Sequence, residues 1–142
     1  MRRRVPASVR TRYRAPMSDL PEPTIDPISA RVARNRWFWL LVFRDGPDRS
    51  HDDEAADRIQ REHLAYLFSL EANGQVTAFG PVLDLGDIRG IGVMTVPTRA
   101  EAEALIAQDP AVRSGRLSLE IRPWFTLPGS TLPAEGATSP VG

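Results

Sequence analysis

RWFWLLVFR, residues 36–44, carries large apolar side chains on both of its alternating faces. Successive side chains of a strand point to opposite sides, so Trp37, Trp39, Leu41 and Phe43 share one face. Phe38, Leu40 and Val42 share the other. A strand apolar on both faces must be covered on both. This one therefore belongs in the middle of a sheet, with helices on one side and something further on the other.

The segments that follow supply the rest of that sheet. DGPDRS (45–50) turns the chain, and Asp52 or Asp53 can cap a helix running to about Asn73, with Gly74 at its C′ position. QVTAFGPVL (75–83) reads as a strand, DLGD (84–87) as a turn, and IRGIGVMTV (88–96) as the hairpin partner. Thr98 and Glu101 form a T-x-x-E capping box ahead of AEALIA, a helix that Pro110 is expected to stop. GRLSLEIRPWF (115–125) is the last strand, with Leu117, Leu119 and Ile121 on one face and Ser118, Glu120 and Arg122 on the other.

The order βαββαβ is the ferredoxin-like plan, an α+β fold in which two helices cover one face of a four-stranded antiparallel sheet. The first strand is central in that plan, so its second apolar face lies on the uncovered side. A second copy of the same sheet covers it most simply, which predicts a homodimer through the open sheet face. The other arrangement folds the two tails over it.

Those tails differ in composition from the domain, which is expected to span residues 35–127. Residues 1–34 read as a disordered Arg/Pro-rich leader and residues 128–142 as a disordered low-complexity tail. MRRRVPASVRTRYRAP has six arginines, no acid and no hydrophobic core, so it is not a secretory signal. A transit peptide shares this composition, but the simpler reading takes Met17, in MSDLPEPT, as the natural start. Pro21, Pro23 and Pro27 are expected to keep the next stretch extended or irregular.

Charge balances at 18 basic and 18 acidic residues, unevenly spread. Residues 1–36 hold nine arginines and three acids; the remainder holds nine arginines and 15 acids. The domain is thus mildly acidic and a poor electrostatic match for nucleic acid. There is no cysteine, which excludes disulfides, iron–sulfur clusters and thiolate zinc sites and leaves the cytoplasm as the expected location. WFWLLVF at 37–43 falls far short of the roughly 20 apolar residues that cross a bilayer, so no membrane partner is expected. No cofactor or metal is expected either. G-x-G-x-x-G, the P-loop and G-x-S-x-G are all missing, RDGPD lacks the full calcium-loop pattern, and His51 beside acids in RSHDDE reads as a solvated helix start.

Two residues break local rules. Ile59, His63, Leu67 and Leu70 follow one another at helical spacing, so a titratable ring sits in an apolar stripe. Such a histidine is either a core residue bonded to one carbonyl or a functional base. Asp109, in AQDPAV, falls where the second helix should end, and an acid there opposes the helix dipole. Asp-Pro also initiates turns, with the carboxylate bonded to nearby amides. Local rules tend to fail at functional sites, and a histidine with a carboxylate partner is a general-base pair. Arg89 could hold a substrate carboxylate bidentately or lie solvated at a strand end. Gly80, Gly90 and Gly92 could let a ligand approach the backbone or let a helix pack closely. Trp37, Trp39, Phe79 and Trp124 fit core and interface better than a pocket wall.

EHLAYL with His63, TAFGPVLD with Gly80 and Pro81, DIRGIGVM with Arg89 and Gly90, and DPAVRSGRLSLEIRPW with Asp109, Gly115 and Trp124 together resemble the YCII-related domain family. The resemblance runs from Trp37 to Trp124. It implies a ferredoxin-like fold, a dimer of the α+β barrel type, and relatives such as muconolactone isomerases. It also implies a site built on His63 and Asp109; the residues expected beside it to bind substrate are Arg89, Gly80 and Pro81. Some members are implicated in eliminating HCl from intermediates of aromatic degradation; most have no established reaction. Two functions are therefore carried forward. One is a small lyase or isomerase using a His–Asp general acid/base pair on a small carbonyl- or carboxylate-bearing substrate. The other is a non-catalytic ligand-binding or accessory dimer.

Overall fold

β1 (Arg36–Asp45) does lie inside a sheet, paired antiparallel with a strand on each side. The computed structural model describes residues 25–129 and 132–136. The expectations for residues 1–24, including Met17, and for residues 130, 131 and 137–142 lie outside them. Along the chain come α1 (Pro27–Val32), β1, α2 (Asp53–Ala72), β2 (Val76–Pro81), β3 (Ile88–Met94), α3 (Arg99–Ile106), α4 (Pro110–Arg113) and β4 (Leu117–Thr126). The strand order is β2-β3-β1-β4, with every pair antiparallel. This is the ferredoxin-like α+β fold that the βαββαβ order predicts.

The helix caps follow the sequence closely. Asp52 accepts from the Ala55 amide at the start of α2, and Gly74 closes that helix with φ +71°. Thr98 and Glu101 complete their capping box at the start of α3.

Two segments depart from expectation. Pro27 does not keep its stretch extended. It sits at the first position of α1, where its missing N–H costs nothing, and Asp26 caps the helix by accepting from the Ile28 and Ser29 amides at 3.0 Å. Pro110 does not stop α3, which ends earlier at Ile106; it opens the one-turn α4.

Helices cover one face of the sheet only. Leu41 and Phe43 of β1 pack there with Leu67, Leu70, Val76, Met94 and Ile106. Fully burying side chains of this size contributes about 1.5–3 kcal/mol each. Trp39 adds a hydrogen bond, its Nε1–H donating to the Val96 carbonyl at 3.0 Å. Trp37 points the same way but lies beyond the helices, 68% exposed and stacked on Phe125 with ring centroids 4.7 Å apart.

On the other face, register places Phe38, Leu40 and Val42 beside Ile91, Val93 and Trp124. Ile91 and Trp124 are exposed there. The chain after β4 comes back toward this face, where Leu127, Pro128 and Leu132 border a hollow with Phe38, Val93 and Trp124. The sheet's borders are β2 and β4, and each contains a proline, Pro81 and Pro123.

Candidate active site

α2 turns its apolar stripe toward the sheet, so His63 is carried inward with Ile59, Leu67 and Leu70. The residue is only 7% exposed. Its ring meets Phe43 edge-on, with centroids 5.4 Å apart. Nδ1 lies 2.7 Å from Oδ2 of Asp109, a residue 46 positions away and fully buried.

Asp109 owes its position to α4. It is the N-cap of that helix: Oδ1 accepts from the Ala111 amide at 2.9 Å, leaving Oδ2 for the imidazole. The acid therefore stands at the start of one helix and not at the end of another, so it breaks no dipole rule. The turn reading and the partner reading both hold for it. Tyr66, one turn beyond His63, ties α2 to the end of α3 by donating its hydroxyl to the Leu105 carbonyl. Burial first, and then the Asp109 charge, push its phenol above the ordinary value.

A carboxylate only accepts hydrogen bonds, so the short contact requires the proton on Nδ1. Nε2 is then the free lone pair, and it makes no hydrogen bond with the described residues. The ring borders a cleft of about 440 Å³ between α2 and the β2–β3 side of the sheet. That is the size of a small-molecule site.

Gly80, Pro81 and Arg89 line this same cleft with His63, whereas Asp109 is fully buried and reaches it through the imidazole alone. Arg89 is already engaged. Its Nε and Nη2 donate to the two oxygens of Asp45 at 2.9 and 3.0 Å. That bond is the main reason the Asp45 carboxyl lies below its ordinary value and the Arg89 guanidinium above its own.

The three strand glycines serve different purposes. A Cβ on Gly92 would meet the Phe79 Cβ at 3.1 Å, and one on Gly90 the Gly80 carbonyl oxygen at 3.1 Å, while one on Gly80 would meet nothing within 4 Å. The tight contacts are with the neighbouring strand, not with a helix.

Arg49 and Arg116 also line the cleft, and nothing in their sequence surroundings marks them. They lie 67 positions apart and are joined by a hydrogen bond from Arg49 Nη1 to the Arg116 carbonyl at 2.8 Å. Among the described residues no group of three or more His, Asp and Glu is arranged to hold a metal ion, and no helix is long and apolar enough to cross a membrane.

The family model of the YCII-related domain matches residues 37–125, from the start of β1 to the end of β4. The chain belongs to the YCII-related domain family. Its YCII-related domain thus comprises the whole sheet, α2, α3 and α4, including both members of the His63–Asp109 pair, and leaves α1 outside. No curated protein matches the chain. Among solved structures it is similar to the 5-chloro-2-hydroxyhydroquinone dehydrochlorinase of Burkholderia phenoliruptrix AC1100, in complex with 2,5-dihydroxybenzoquinone. The identity is 23% and the TM-score 0.49, over 61% of this chain and 92% of the other.

Proposed function

We propose that the protein is a small lyase or isomerase in which His63 is the general base and Asp109 holds its ring. The observation that carries this reading is the 2.7 Å contact between Nδ1 and the buried carboxylate, made by a ring that borders a cleft. Nε2 takes a proton from carbon beside a carbonyl, and the imidazolium that forms is stabilised by Asp109. The same proton can be returned at another carbon, giving isomerisation, or a leaving group can depart, giving elimination. The substrate class is a small carbonyl- or carboxylate-bearing ring compound, with Arg89, Gly80 and Pro81 among the groups that position it. General acid–base catalysis supplies about 10²–10⁴-fold, and positioning in the cleft supplies the remainder.

The test is product analysis with small cyclic keto acids and lactones, on wild type and His63→Gln. The expected result is turnover at least about 100-fold lower in the variant, with thermal unfolding little changed. Full turnover in His63→Gln excludes His63 as the base. A second reading is a binding module in which the pair is architectural, and the deep burial of both partners favours it. Under that reading His63→Gln loses stability, keeps ligand affinity, and no substrate is turned over by either protein.

The working unit we propose is residues 35–127, acting as a homodimer. Support for the dimer comes from the apolar residues on the helix-free face of the sheet, Phe38, Leu40, Val42, Ile91, Val93 and Trp124, of which Ile91 and Trp124 are exposed. Val93→Glu is expected to turn a dimer into a monomer, read by sedimentation equilibrium, since a charge buried without a partner is strongly unfavourable. An unchanged mass would remove this face as the interface. The cytoplasm is the compartment we propose, because a chain without cysteine makes no use of an oxidising one.

A further inference from the structure

The cleft's charge points to its ligand. Three arginines line it, Arg49, Arg89 and Arg116, and among the described residues no aspartate or glutamate does. This is notable in a domain whose acids outnumber its arginines. One carboxylate stands close behind the arginines. Asp45, at the end of β1, takes both donors of Arg89 and lies 3.4 Å from Arg49 Nη2. Arg116 acts on it by charge alone. Asp48, one residue before Arg49, is engaged locally: its Oδ1 accepts from the Ser50 amide and hydroxyl. Three cations share one counter-ion, so positive charge remains unmatched. It remains chiefly on Arg116, whose guanidinium makes no hydrogen bond or ion pair with the described residues.

The rest of the wall is mostly apolar. Phe43, Leu67, Phe68 and Phe79 contribute to it, and among the described residues Gln60 and His63 are its polar exceptions. Guanidinium groups bind carboxylates through paired N–H donors, and aromatic walls favour a flat body. We propose that the cleft selects small organic anions, a carboxylate on a flat apolar body, and that Arg116 receives the charge. Arg49 and Arg89 back it, and Asp45 orders them. Arg89 is thus a supporting cation, held in place by Asp45, and Arg116 is the specificity-determining residue. This inference rests on the same cleft as the proposed function but not on any reaction taking place in it.

The test is a calorimetric titration of the full chain at fixed ionic strength with three probes: benzoate, benzamide and inorganic phosphate. Benzoate is expected to bind at least about tenfold more tightly than benzamide, its uncharged counterpart. Arg116→Gln should remove that margin and leave benzamide binding as it was, and Arg116→Lys should restore part of it. Arg49→Gln should narrow the margin without removing it, and it serves as the second variant if Arg116→Gln does not fold. His63→Gln should keep the margin in full. That result separates this inference from the catalytic one, because selectivity intact without turnover sinks only the latter. The proposal is overturned if benzamide binds as well as benzoate, if benzoate shows no binding at about 10 mM, or if the margin survives in Arg116→Gln. Phosphate binding as tight as benzoate also overturns it, since the arginines would then be an undirected cationic patch.

Discussion

Replacing Asp109 by asparagine is expected to leave the fold nearly as stable as before and to cut the turnover proposed for His63 by about 10²–10⁴-fold. The two carboxylate oxygens have separate duties. Oδ1 accepts from the Ala111 amide at 2.9 Å, and Oδ2 accepts from His63 Nδ1 at 2.7 Å. Asparagine offers one acceptor and one donor. With its oxygen on the Ala111 amide, its NH₂ faces Nδ1, which must then accept. The ring proton moves to Nε2, and its free lone pair is gone. Turned the other way, the NH₂ opposes the Ala111 N–H, and a buried donor without a partner costs about 1–3 kcal/mol. The first arrangement satisfies every group, so the variant folds with the opposite tautomer. Ring nitrogen shifts measured by NMR distinguish the two forms directly. Turnover at the wild-type level would show that the carboxylate does not set the base. Asp109→Ala makes the contrast, since it gives up the helix cap, about 0.5–2 kcal/mol, and leaves Nδ1–H unpaired, about 1–3 kcal/mol.

Gly46→Ala is expected to be the most damaging glycine-to-alanine change among the described residues. A Cβ at that position would lie 2.0 Å from the Gly115 carbonyl oxygen and 2.7 Å from its carbon. Both are backbone atoms, so no side-chain rotation relieves the clash. The contact exists because the end of β1 and the start of β4 are stitched together there. The Gly46 amide donates to the Arg116 carbonyl, and the Asp48 amide donates to the Gly115 carbonyl, each at 2.9 Å. Alanine must push this seam apart. Losing two hydrogen bonds at about 1 kcal/mol each, plus an overpacking cost of about 1–3 kcal/mol, gives a loss of about 3–5 kcal/mol. For a domain of this size that lowers the melting temperature by roughly 12 °C or more. Gly80→Ala is the control, because its Cβ meets nothing within 4 Å. A Gly46→Ala protein melting within a few degrees of wild type would mean the seam is not as tight as described.

Much of the fold was legible because the signals are local. Alternation in residues 36–44 placed β1 centrally, Thr98 and Glu101 marked the start of α3, and Gly74 marked the end of α2. Each rests on chemistry within a few residues. The His63–Asp109 pair was legible by another route: each residue looked out of place, and family resemblance joined them. Its mechanical basis was not legible. Nothing within AQDPAV distinguishes a helix that stops at Pro110 from one that ends at Ile106 ahead of a new turn, so the sequence alone puts Asp109 at the end of α3.

The cleft arginines carry no such local signal. Arg49 sits between β1 and α2, and Arg116 three residues past the end of the one-turn helix α4, with nothing around either to set it apart. Only the stitching at Gly46 and Gly115 brings them to one wall. Ala78 is similar. Its φ of +43° lies at the register shift between Thr77 and Phe79, in a strand that reads as regular.

The prolines of the two border strands bear on how the molecule keeps company at high concentration. A border strand ordinarily presents an unbroken row of amide hydrogens on which a foreign chain can continue the ladder, the first step toward fibres. Pro81 and Pro123 each break such a row, and the irregular backbone at Ala78 twists one rim further out of line. Lateral growth by strand addition is therefore discouraged at both rims.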